Sequence, residues 1–277
     1  MLARITGAAA RGLLVAIMVA MPSMLLPAHV SPAPEIVVLL AILAAALTFA
    51  EYNSSFPSYI EFRDAPPFNR MRFGALFATV LVLTLIARHG FAPSNLTALF
   101  TGLGALVGDI VDFPYSPVRL VILTLPPDAT AVTVDAVCAA AGVAYAIGLV
   151  VVASFMFAVR VLGWPTGNGA FNVWVNLPLF DPTAGGDVVS RLQRDGRINV
   201  ILGALLPFVI PALVKSASQL IEPVPLNNPQ TMIWILATWA FVPASMAMRG
   251  IAMMRIAELI EAKRRRSYAN AEAMQTA

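Results

Sequence analysis

Six stretches of this chain are apolar and long enough, or nearly so, to cross a bilayer, and that restricts its folds more than any other feature. They lie at about 12–28, 35–50, 73–88, 134–160, 198–214 and 231–249. A spanning helix uses roughly 20 predominantly apolar residues. In hydrocarbon every backbone N–H and C=O must be satisfied inside the segment, so such runs fold as helices. With 59% hydrophobic and 12% charged residues over 277 positions, the composition excludes an ordinary soluble domain. The sequence predicts an all-α membrane protein, a polytopic bundle of about six transmembrane helices. It reads as one integral membrane domain over 1–277, with 250–277 as a charged cytoplasmic tail.

The stretch from Ser94 to Pro127 determines how the rest is oriented. Leu96–Gly108 is apolar but stops at Asp109, and Val118–Leu125 is shorter and interrupted by Arg119. If the first run crossed alone, every later segment would change sides. Basic residues accumulate on the cytoplasmic side of membrane helices. With 94–127 kept on one side, 15 of the 18 Arg and Lys residues fall on that cytoplasmic side, and only Arg88, Arg119 and Lys215 lie opposite. A single crossing would leave seven inside. The count favours six spans with both termini cytoplasmic in a bacterial inner membrane, and a 94–127 segment that is either re-entrant or surface-lying. The run after Arg4 and Arg11 resembles a signal peptide, but no clear small-residue cleavage site follows, so it is expected to stay as the first span.

Within that stretch Asp109 and Asp112 are spaced to share a helix face, and Gly104 and Gly108 form a GxxxG pair before them. Ionisable groups at membrane depth are costly and often mark a pathway, so the two carboxylates are candidates for holding a cation or relaying a proton at the end of a broken helix. The competing expectation places them in the outer headgroup layer, with Arg119 as partner. Small residues at four-residue spacing also occur in 130–160, at Cys138, Gly142 and Ala146 and at Ala144 and Gly148. They let helix backbones approach closely, which marks that helix for the bundle's centre.

Two polar loops face the cytoplasm, 51–72 and 164–197. The first interleaves Tyr52, Phe56, Tyr59, Phe62 and Phe68 with Arg63, Arg70 and Arg72, and carries Pro57, Pro66 and Pro67. Rings among charges suit the headgroup layer, and a shape partly fixed by proline makes Tyr52, Phe56, Tyr59, Phe62, Arg63 and Phe68 a candidate partner-docking surface. In the second, 187–197 is expected to form a short surface helix. Pro207 and Pro211, one turn apart, are expected to free carbonyls and bend the fifth span.

Catalytic signatures are missing from the sequence: there is no HExxH, Walker A or GxSxG motif. The lone Cys138 lies in an apolar run and builds neither a disulfide framework nor a thiolate cluster. His29 and His89 would lie on the same side, without the motifs of a haem or metal pair, and the methionines read as packing. No cofactor is expected. The slight basic excess follows topology, so nucleic acid is not an expected partner. Two function classes remain. The favoured one is a non-catalytic accessory, assembly or structural component, packed in the lipid bilayer against another integral membrane protein or itself. The alternative is a small transporter or channel for an uncharged or cationic solute.

Overall fold

A computed structural model describes residues 2–30, 34–165, 172–181, 183, 185–218 and 226–275. Among them the elements are all helical: α1 (Leu2–Leu25), α2 (Pro34–Asn53), α3 (Phe68–His89), α4 (Asn95–Val111), α5 (Pro117–Ile122), α6 (Ala131–Arg160), α7 (Val173–Asn176), α8 (Val188–Ala217) and α9 (Pro229–Gln275). Six of them, α1, α2, α3, α6, α8 and α9, are long and apolar enough to cross a membrane. The fold is the expected helical bundle, with spans that overrun their apolar runs. Hydrogen bonding continues into the charged flanks because helix is the cheapest way to satisfy the backbone there too.

Packing contacts give the order of the bundle. A Cβ on Gly12 of α1 would lie 2.8 Å from the Ala45 carbonyl of α2, so these helices form an antiparallel hairpin. The Phe68 ring at the start of α3 meets Phe155 near the end of α6, with centroids 5.2 Å apart. Near the opposite ends, a Cβ on Gly104 of α4 would touch both Ile86 and Ala139. Helices α3 and α6 are therefore antiparallel, and the segment between them leaves and returns at one end of the bundle. At that same end Gln230 of α9 donates to Ser23 of α1 at 3.0 Å. The helix contacts describe six long apolar helices that run alternately up and down the bundle.

The contact between α8 and α9 is the tightest in the bundle, and it rests on glycines that the sequence reading passed over. A Cβ on Gly203 would meet Ala247 N and Pro243 O, each at 2.7 Å, and one on Gly196 would meet the Met254 side chain at 2.7 Å and Gly250 O at 3.0 Å. Gly250 returns the contact against Gly196 and Val200. Close backbone approach of this kind substitutes for the missing hydrophobic drive between helices in lipid. The two prolines of α8 are matched by a donor on α9. Pro211 has no N–H for the Pro207 carbonyl, and the Trp239 indole donates to that oxygen at 3.1 Å.

One sequence boundary is corrected. The stretch 187–197 is not a separate surface helix but the first turns of α8, capped by Asp187, whose side chain accepts from the Ser190 N–H at 3.0 Å. The charged stretch after 250 continues the last spanning helix. Helix α9 runs unbroken for 47 residues, about 70 Å. Beyond 250 it buries Met253, Ile256 and Ala257 in a cluster with Val189 and Leu192 of α8. Charges on its other face masked that apolar stripe.

Candidate functional site

Helix α4 begins with a capping box: the Ser94 hydroxyl accepts from the Thr97 N–H at 3.2 Å, and Thr97 Oγ1 accepts from the Ser94 N–H at 2.9 Å. His89, at the end of α3, is 2.9 Å from the same Thr97 hydroxyl, which ties the two helix ends together. One face of α4 then presses Gly104 and Gly108 onto α3 and α6. A Cβ on Gly142 of α6 would stand 2.6 Å from Gly108 Cα and 2.9 Å from Gly108 N, so the two backbones touch directly. Gly148 approaches Ala240 and Ala244 of α9, while Ala146 is half-buried. Replacing Gly142 with Val is expected to push α4 away and cost about 1–3 kcal/mol. Thermal unfolding of the detergent-solubilised protein checks this, and an unchanged midpoint would mean that α4 does not pack there.

The carboxylates do not form a joint site. Asp109 is exposed on the face of α4 turned away from the bundle, whereas Asp112, its C-cap, holds Arg119 of α5 at 2.7 Å. The pair pins α5 beneath the end of α4, where Ser116 caps α5 through the Arg119 N–H. Because Arg119 is 44% exposed, Asp112→Asn is expected to cost no more than about 1 kcal/mol, and Asp109→Asn less. A thermal shift assay on both variants reads this directly. His29 packs edge-on to Phe91 at 5.9 Å, away from His89's contact with Thr97. Among the described residues no group of three or more His, Cys, Asp or Glu side chains is placed to hold a metal ion.

The aromatic loop departs most from expectation. Phe62 and Phe68, expected on a docking surface, are fully buried. They pack with Phe155 and Trp164, whose ring lies 5.7 Å from Phe62 and 5.0 Å from Phe155 and whose indole N–H donates to Ala65 O at 3.2 Å. Arg63 is also committed, donating to the carbonyls of Ser54 at 2.7 Å and Glu51 at 3.1 Å. The Glu51 carboxylate in turn accepts N–H groups of Ser58, Tyr59 and Ile60. Tyr52 lies half-buried under the Arg11 guanidinium. Only Phe56 and Tyr59, 75% and 49% exposed, present their rings outward. Apolar rings that can be withdrawn from water are withdrawn, and the loop forms a folded cap that leaves Phe56 and Tyr59 on its outer surface.

That cap is fastened to distant parts of the chain. Phe62 N donates to Asn176 O at 2.6 Å and Asp64 N to Asn176 Oδ1 at 3.0 Å. Glu61, 6% exposed, receives a two-point contact from Arg249 of α9, at 2.5 and 2.8 Å. Arg255 donates to Trp164 O at 3.2 Å. Farther along α9, Arg264 meets Asp187 at 2.6 Å. That hydrogen bond, with the Ser190 N–H, holds the Asp187 carboxyl below its usual range. Its folded-state value being lowered, the contact is present at neutral pH and is lost only as pH falls through that lowered value.

Beside this end of the bundle, α6 and α8 stand apart with α9 as the floor between them, enclosing a cavity of about 500 Å³. Its walls include Leu149, Met156, Ala204 and Pro207, and Arg160, Arg255 and Glu258 also line it. No sequence motif marks it, because it arises from which helices fail to meet. No protein-family model matches the chain, and no curated protein or solved structure is significantly similar to it.

Proposed function

We propose that this chain is a non-catalytic accessory, assembly or structural component of a bacterial inner membrane, packing against another integral membrane complex with both termini in the cytoplasm. One observation carries the reading. Each spanning helix has a charge-free stretch, at 12–25, 36–50, 73–87, 136–159, 198–214 and 229–248. Between those stretches the described interior is filled by apolar side chains such as Leu83, Val137, Ala140, Ile233 and Leu236. Ion and proton pathways use ionisable or polar groups at membrane depth, and the Asp, Glu, Lys and Arg side chains lie outside these stretches. The orientation is supported by the 15 of 18 basic residues at the end that carries the folded cap.

The peripheral position of α2 fits a packing role. It lies chiefly against α1, leaving Ile36, Leu39, Ile42 and Leu43 more than half exposed. Reconstitution of the purified protein in liposomes separates this reading from the transporter alternative. The expected result is no flux of monovalent cations, protons or small neutral solutes above protein-free vesicles. Flux abolished by Asp109→Asn or Asp112→Asn would overturn the accessory role.

A further inference from the structure

The cavity between α6, α8 and α9 has the polarity of an amphiphile, and α5 bridges its two walls beyond one end. At one end α5 lies across both walls, with Val118 and Val121 buried in the cluster that Ile210 of α8 packs against. At the other, the lining changes from apolar side chains to Arg160, Arg255 and Glu258. Arg255 is held by Glu258 at 3.1 Å and by Trp164 O. Arg160 is exposed and makes no hydrogen bond or ion pair among the described residues. The mouth therefore carries one positive charge in excess, at the end of the charge-free layer. From Tyr145 to Arg160 along α6 is about 22 Å, enough for one leaflet's share of the hydrocarbon core, about 15 Å, and the glycerol region above it.

We propose that this cavity binds one anionic glycerophospholipid, an acyl chain lying in the groove over α9 and its phosphate at Arg160. Three features select this occupant. A partner helix, about 10 Å across with its side chains, would need the groove open through the full membrane thickness, and α5 bridges its walls beyond one end. The cavity volume lies within the usual range for small-molecule sites. The excess guanidinium favours a lipid with net negative charge over a zwitterionic one, as basic pockets at the cytoplasmic membrane surface do. This inference is independent of the accessory role, since a structural lipid serves a transporter equally well.

The test is native mass spectrometry of the full-length protein in detergent, titrated with phosphatidylglycerol or phosphatidylethanolamine of identical chains. One phosphatidylglycerol per chain is expected, bound at least tenfold more tightly than phosphatidylethanolamine. Arg160→Gln should remove that preference. Ala204→Phe, which fills the groove from an exposed position without changing charge, should remove both adducts while the thermal transition stays in place. Photocrosslinking from a reactive residue at 149 in whole membranes should give a lipid adduct. The proposal is overturned by no retained lipid, by equal retention of the two lipids in the unmodified protein, by an Ala204→Phe protein that binds as before, or by a protein adduct at 149.

Discussion

Trp164→Ala is expected to lower the unfolding free energy by about 3–5 kcal/mol, the range for truncating a large buried aromatic side chain. The indole is 1% exposed and contacts Phe62, Phe68 and Phe155, residues contributed by the 54–67 loop, the start of α3 and the end of α6. Its removal opens a cavity where three segments meet, and it also takes the stronger of two donors from the Ala65 carbonyl, leaving the Phe68 N–H at 3.4 Å. Trp164→Phe should recover much of the packing but not the hydrogen bond, and so fall about 1–3 kcal/mol short of the parent. Thermal or denaturant unfolding in a mild detergent, followed by circular dichroism, reads both variants. An alanine variant as stable as the parent would mean that the loop is not folded over the helix ends.

The second large effect is expected from Glu61→Gln. The carboxylate is nearly inaccessible and is clasped by Arg249, with Arg72 within electrostatic reach of both. Neutralising it leaves two guanidinium groups in one partly dry pocket without their hydrogen-bonded carboxylate, Asp195 acting on Arg249 only at longer range, and breaking a buried pair from one side costs about 3–5 kcal/mol. Arg72 is held over the Phe68 and Phe241 rings at 5.4 and 5.8 Å, which limits its escape to water. Adding Arg249→Met to Glu61→Gln should restore part of the loss, because the second change removes the charge that the first left unpaired. A double variant whose loss equals the sum of the two single losses would show that Glu61 and Arg249 act independently.

The features that were legible in the sequence are those that lipid imposes locally. Hydrocarbon requires a helix of fixed minimum length, so 73–88 and 134–160 announce themselves without reference to the rest of the chain. That 94–127 stays at one end of the bundle was legible for a similar reason, since charge asymmetry acts segment by segment. Its depth was not, because it depends on Gly108 finding Gly142 on another helix. The aromatic loop misled because the alternation of rings and arginines at 52–72 suits a membrane surface and a folded cap equally well. The choice is made by Asn176 and Trp164, more than ninety residues away. Likewise Arg249 reads as the flank of a span until Glu61 is placed beside it. The glycines at 196, 203 and 250 carried a usable signal, since 196 and 203 are two turns apart on one helix face, but their partners on α9 are only partly glycine. The lipid-shaped cavity had none, being a space between helices.

Whether this bundle packs against another membrane complex is decided by gentle detergent extraction of the full-length protein followed by native mass analysis. The expected product is a complex of fixed stoichiometry with at least one other integral membrane protein, surviving dilution and absent when an unrelated six-span protein is extracted in the same way. Recovery of the chain alone, as a monomer or homo-oligomer, together with solute flux in liposomes, would contradict this packing.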